Sequence, residues 1–95
     1  MANKVENEKG FLIIEMTVNE ADKIGFGIGG GACICVGCNE LCLPKVYYVA
    51  AMNETMCEKC LNEFLTNEDT IRYTEDIPYE ERNYNRYMEL LNLLS

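Results

Sequence analysis

The sequence contains no histidine, few basic residues and no apolar run long enough to cross a bilayer, and each absence excludes a class of protein. Without histidine, any metal site built mainly from protein ligands must be rich in thiolates. Eight Lys and Arg against 16 Asp and Glu give a formal net charge of −8, which disfavours ordinary binding to nucleic-acid phosphates. A protein partner with a basic surface is favoured instead.

The lack of apolar segments also bears on location. Residues 1–9 have no apolar core, so we expect no secretory signal and no membrane association. We therefore predict a cytoplasmic protein in a reducing compartment, where clustered cysteines indicate metal ligands before disulfides. A length of 95 residues predicts a single domain over 1–95 with a core that is marginal by itself, so a bound metal would help the fold.

All six cysteines lie between residues 33 and 60. Two Cys-x-x-Cys pairs, separated by 18 residues, are formed by Cys35 with Cys38 and by Cys57 with Cys60. This spacing is typical of a four-thiolate zinc site, because each pair can place two sulfurs on one ion. We predict one structural Zn²⁺ on these four sulfurs. The helix start expected at the second pair should lower the pKa of its thiols.

The remaining cysteines, Cys33 and Cys42, are alternate ligands, because Cys33-x-Cys35 or Cys38-x₃-Cys42 could supply the first pair. An iron–sulfur cluster and a disulfide framework are the alternatives to zinc. A zinc ion held by four thiolates has no open position and activates no water, so we expect no enzyme. A thiol redox protein that uses Cys33 or Cys42 is the alternative from the enzyme class.

Hydrophobic periodicity predicts an α+β fold. Residues 1–9 are expected to form a flexible tail, and the alternation in Phe11–Val18 predicts a strand. A turn followed by a return strand over Lys23–Ile28 would complete an N-terminal β-hairpin. The competing interpretation is a short helix with Thr17 as N-cap, Glu20 at N3 and Gly25 just past its end. Alternation on both sides of the turn favours the hairpin.

The second half of the chain is predicted to contain a zinc-binding segment at 33–66 and an amphipathic C-terminal helix at 77–94. A strand begins near Val46, a hairpin connects the two cysteine pairs, and a helix opens near Cys57. Residues 25–31 are rich in glycine, but no phosphate-binding helix follows them, so we interpret them as a lead-in to the metal site. The apolar stripe of the last helix has helical spacing and consists of Tyr84, Tyr87, Met88, Leu91 and Leu94.

The segment 35–65 resembles treble-clef zinc fingers of the LIM and RING-like kind, which share a knuckle, a strand pair and a Cys-x-x-Cys at a helix start. With one site and no histidine it departs from both patterns, so ligase or actin-associated roles are not implied. More narrowly, residues 46–60 (Val-Tyr-Tyr-Val-Ala-Ala-Met-Asn-Glu-Thr-Met-Cys-Glu-Lys-Cys) and 76–84 (Asp-Ile-Pro-Tyr-Glu-Glu-Arg-Asn-Tyr) are similar to small proteins of bacteriophages and mobile elements. That resemblance implies an accessory gene of such an element.

These features predict a non-enzymatic, zinc-binding protein-interaction module, acting in the bacterial host cytoplasm if it is phage-encoded. In its concrete form it is an inhibitor of host defence or nucleic-acid machinery, because residues 54–82 hold nine acidic against three basic residues. A solvated face is the simpler interpretation of these acids, and homo-oligomerisation is left open. The alternative function, a zinc-finger regulator that binds nucleic acid, requires the basic side chains to converge on one face: Lys23, Lys45, Lys59, Arg72, Arg82 and Arg86.

Overall fold

Four antiparallel strands in the order β1-β2-β3-β4 form the sheet of the computed structural model, which describes residues 3–25, 34–40, 42 and 45–94. Three α-helices and a 3₁₀ turn accompany the sheet in these ranges. The predicted α+β class is confirmed. The strands are β1 (Asn3–Lys4), β2 (Ile13–Thr17), β3 (Lys45–Val49) and β4 (Glu54–Met56), and the helices are α1 (Val18–Gly25), α2 (Glu58–Thr66) and α3 (Ile77–Leu94), with the 3₁₀ turn at Thr74–Asp76.

The pairing of β2 with β3 forms the centre of the core. The register places Ile14 opposite Tyr48 and Met16 opposite Val46. Adjacent residues of a strand point to opposite faces, and both Ile13 and Ile14 are 0% exposed, so both faces of β2 are covered. The hairpin from β3 to β4 follows, with Asn53 in the left-handed conformation (φ 54°) at its turn.

The predicted C-terminal helix, α3, packs on the core through Tyr87 and Leu91 of its apolar stripe. The ring of Tyr87 stacks on that of Tyr48, with centroids 3.5 Å apart and planes 13° apart. The buried Asn83 side chain donates from Nδ2 to the carbonyl oxygen of Ala50 at 3.0 Å. These contacts hold the middle of α3 on the sheet.

The predicted return strand after β2 is wrong where the structure describes it, since Val18–Gly25 is α1. The backbone N–H of Thr17 donates to Glu20 Oε1 (2.9 Å), and the N–H of Glu20 donates to Thr17 Oγ1 (3.2 Å). This is a reciprocal capping box, and it confirms the competing helix. The cap and the packing of α1 against α3 outweigh the alternation pattern. Residues 26–33, with most of the glycine-rich lead-in, lie outside the described ranges.

The polar segment before β2 pairs with the sheet in this structure. Asn3 lies opposite Glu15 and Lys4 opposite Ile14, so the N-terminal partner of β2 is β1. The Lys9 ammonium donates to two carbonyl oxygens in the loop after α2, at 2.6 and 2.7 Å. The expected tail at 1–9 therefore contacts both the sheet and that loop from residue 3 onward.

None of the helices in the described part of the chain combines the length and the apolarity that a membrane span requires.

Candidate metal centre

The sulfur atoms of Cys35, Cys38, Cys57 and Cys60 all lie within 4.8 Å of one another. The sulfurs of Cys38 and Cys57 are 3.9 Å apart, far longer than the roughly 2.05 Å of a disulfide bond. Zinc–sulfur bonds of about 2.3 Å in a regular tetrahedron require sulfur–sulfur distances of about 3.8 Å. The group therefore needs only small adjustments to coordinate one metal ion, and four thiolates are a ligand set that Zn²⁺ accepts.

The first pair lies on a tight turn closed by backbone hydrogen bonds. The N–H of Asn39 donates to the Cys35 carbonyl oxygen and the N–H of Cys35 donates to the Glu40 carbonyl oxygen, both at 2.8 Å. Asn39 takes the left-handed conformation (φ 59°) that its residue type tolerates. The N–H of Gly37 donates to the Cys35 sulfur at 3.3 Å. The turn thus directs a backbone N–H group at the Cys35 sulfur.

Gly37 is required for space. A Cβ added at Gly37 would lie 3.1 Å from the Cys60 sulfur and 3.3 Å from its Cβ, closer than ordinary van der Waals contact. The absent side chain lets the turn approach the helix that carries the second pair. Close approach, rather than a left-handed backbone, is therefore the reason for glycine at this position.

Hydrogen bonds to β4 hold the turn beside the sheet. The N–H of Val36 donates to the carbonyl oxygen of Thr55 at 2.9 Å, and Thr55 Oγ1 donates to the carbonyl oxygen of Ile34 at 2.9 Å. Thr55 is only 4% exposed, so its hydroxyl needs this partner. Because β4 leads directly into Cys57, the same strand positions both cysteine pairs.

The second pair begins α2. Cys57 is the N-cap residue but makes no side-chain cap bond; its carbonyl oxygen accepts the N–H of Leu61 at 2.9 Å. Its sulfur lies in the cysteine group instead. Cys60 follows in the first turn of α2, and the buried side chain of Leu61 anchors that turn in the core. The start of α2 thus places the sulfurs of Cys57 and Cys60 beside the turn that carries Cys35 and Cys38.

The thiols of the group differ in acidity. Burial raises the pKa of Cys35, but backbone N–H groups of Cys57, Cys38 and Gly37 donate to its sulfur and bring the pKa down to about 6. The pKa of Cys60 is raised, mainly because its thiol hydrogen-bonds to the Cys35 sulfur and then to that of Cys57. The expectation that the helix start lowers the pKa of the second pair is therefore wrong for Cys60.

The alternate ligands stand apart from this group as far as the structure describes them. Cys42 is fully buried among core residues and is not one of the four clustered sulfurs. Cys33 lies outside the described ranges. None of the cysteines that the structure describes forms a disulfide.

Sequence reasoning missed a buried carboxylate outside the cysteine group. Glu80 is 1% exposed; its Oε1 accepts the Nε–H and an NH2 group of Arg72, both at 2.7 Å, and its Oε2 accepts the N–H of Leu12 at 2.9 Å. The sequence did contain a signal for the burial of Glu80, because this residue precedes Tyr84 by four positions and Tyr87 by seven and so lies on the same face of α3. Glu80 occupies the buried stripe of α3, where a charge requires a partner.

The chain matches no protein-family model, no curated protein and no solved structure. The chemistry of the four cysteines is accordingly the basis for assigning a function.

Proposed function

We propose that this protein is a non-enzymatic interaction module stabilised by one structural Zn²⁺ on Cys35, Cys38, Cys57 and Cys60. The observation that carries the proposal is the grouping of their four sulfurs within 4.8 Å. Four thiolates on zinc form a closed site of net charge −2, and the N–H donors around Cys35 offset part of that charge. Metal binding then supplies folding free energy to a small core.

The topology of the segment supports a treble-clef assignment. A cysteine turn at 35–38, the β3–β4 hairpin and the start of α2 follow one another along the chain and converge on the site. No carboxylate joins the four sulfurs in the described residues, which agrees with a structural rather than a catalytic ion. We assign the zinc to fold stability and the function to the surfaces around it.

Charge supports a protein with a basic surface as the partner. Between residues 54 and 82, eight carboxylates are exposed against Lys59 and Arg82, while Glu80 and Arg72 neutralise each other. Lys45 is also paired, with Glu15 at 2.9 Å. Two of the six cations that nucleic-acid binding would require are thus held in ion pairs within the chain, and the Arg86 guanidinium donates to Asn53 Oδ1 at 3.5 Å. In its wider form, the proposal is an accessory protein of a phage or mobile element that presents this acidic surface to host machinery.

Metal content tests the proposal directly. Protein purified without a metal-affinity step should contain one zinc per chain by elemental analysis, and cobalt substitution should give the absorption of a tetrahedral all-thiolate site. Cys38→Ala and Cys57→Ala should abolish stoichiometric binding. The matched controls, Cys33→Ala and Cys42→Ala, should keep one zinc. Iron, no metal, or loss of zinc in either control variant would contradict the assigned ligand set.

A further inference from the structure

A groove of about 300 Å³ lies between the end of β3, α2 and the start of α3, away from the four sulfurs. Two aromatic rings, Phe11 and Phe64, line it and contact each other with centroids 5.1 Å apart. Its volume is at the lower end of the roughly 300–1,000 Å³ typical of ligand pockets. It therefore has room for at least one large apolar side chain.

Exposed apolar residues surround the opening. Ile71 is 56% exposed, Tyr73 is 53% exposed and Met52 is 36% exposed, and all three line the groove. Single exposed apolar residues are common on protein surfaces, but several around one concavity mark an interaction site. Methionine suits such a site because its flexible side chain adapts to a partner, and tyrosine because it combines a large apolar ring with a polar hydroxyl.

The charged residues of the groove are unbalanced. Asp69 and Asp76 line it, and neither forms an ion pair with any residue that the structure describes. Arg72 also lines the groove, but its charge is matched by buried Glu80 at 2.7 Å. The charges left for a partner are therefore negative, and a cation beside the bound apolar group would complement them.

The segment that carries these residues is held in place before any partner arrives. The Lys9 ammonium donates to the carbonyl oxygens of Asn67 and Thr70, on both sides of Asp69. Arg72 is fixed from the other end by Glu80. A loop that is already ordered loses less conformational entropy on binding.

We propose that this groove binds a segment of a partner protein in which one large apolar side chain is flanked by Lys or Arg. The apolar side chain packs against the rings of Phe11 and Phe64 and against Ile71 and Tyr73, which line the groove with them. The flanking cations meet Asp69 and Asp76. The inference rests on the proposed interaction function and specifies the partner's chemistry. A second copy of this chain fits poorly, because each copy carries a net charge of −8.

Selection from a library of random peptides of about twelve residues, displayed against the full-length zinc-loaded protein, tests this directly. Enriched peptides should share a large apolar residue with Lys or Arg within two or three positions. Their dissociation constants should rise about tenfold for Ile71→Ser, which corresponds to about 1.4 kcal/mol. Asp76→Asn should reduce the salt dependence of binding. The matched controls Tyr79→Ser and Glu89→Gln alter exposed residues that do not line the groove and should bind as the unmodified protein does.

The outcomes separate this inference from the zinc proposal. Enrichment of acidic or purely polar peptides, no enrichment at all, or equal binding to Ile71→Ser and the control Tyr79→Ser would overturn the groove assignment while one zinc per chain remained. Self-association that Ile71→Ser abolishes would also overturn it, in favour of a second copy as the occupant. Loss of zinc stoichiometry in the unmodified protein would refute the proposed function instead.

Discussion

Replacing Glu80 with glutamine should destabilise the fold far more than any change to an exposed acid of this chain. Glu80 accepts three N–H groups, two from Arg72 at 2.7 Å and one from Leu12 at 2.9 Å. A glutamine side chain has one oxygen and one NH2 group. Whichever way it turns, the NH2 group meets an N–H donor, and the charge of Arg72 loses its partner.

The size of the effect follows from burial. Breaking a fully buried ion pair costs about 3–5 kcal/mol, because an uncompensated charge is left behind. The Arg72 side chain keeps 25% of its surface exposed, so water recovers part of that loss. We expect Glu80→Gln to lower the free energy of unfolding by about 3 kcal/mol. Arg72→Met should lower the free energy of unfolding by at least as much. It leaves the carboxylate of Glu80, which is only 1% exposed, without its charged partner.

Urea unfolding of the zinc-loaded protein measures these values by linear extrapolation. The double variant should lose at least about 1 kcal/mol less than the sum of the single variants, since both remove one interaction. Lys45→Met, which breaks the more exposed pair with Glu15, is the control and should cost at most about 1 kcal/mol. Additive effects, or a Glu80→Gln value as small as the control, would refute the reasoning.

Three further predictions concern the site and the first helix. Gly37→Ala should weaken zinc binding about tenfold or more in a chelator competition, because overpacking against Cys60 costs about 1–3 kcal/mol; unchanged affinity would contradict the close approach. Thr17→Ala should destabilise α1 by about 1 kcal/mol, seen as faster amide exchange over 18–25, whereas Thr17→Ser should retain the cap with Glu20. Zinc affinity should fall as pH falls, because protons compete for the thiolates. Since the pKa of Cys35 is lowered to about 6, calorimetry at pH 7.5 in buffers of different ionisation enthalpy should detect fewer than four protons released per zinc. Release of four would show that this thiol is not ionised beforehand.

Local patterns explain which parts of the fold could be predicted. The alternation before Thr17 and the apolar spacing around Tyr87 each arise within one element, and β2 and α3 form where these patterns lie. The residues after Thr17 fitted two local patterns at once, a return strand and a capped helix. The helix forms because the Thr17–Glu20 cap is joined by packing against α3, which lies more than 50 residues away in the sequence.

The acidic residues of 54–82 also show which properties composition predicts and which depend on tertiary contacts. Composition alone predicted an acidic surface, and eight of the nine carboxylates are exposed. The ninth, Glu80, is buried because Arg72 and the backbone of Leu12 converge on it, and Leu12 is distant in sequence.

The sequence by itself determined the class of site, because the spacing of two Cys-x-x-Cys pairs and the absence of histidine limit the chemistry without reference to the fold. It also determined the net charge of −8. The spacing also predicted Cys35, Cys38, Cys57 and Cys60 as the ligand set, and the structure groups the same four sulfurs. Only the tertiary structure decided why Gly37 must lack a side chain and where apolar residues surround a groove. The physical reason is that burial and proximity depend on contacts between residues far apart in the chain. Local periodicity of the sequence does not specify those contacts.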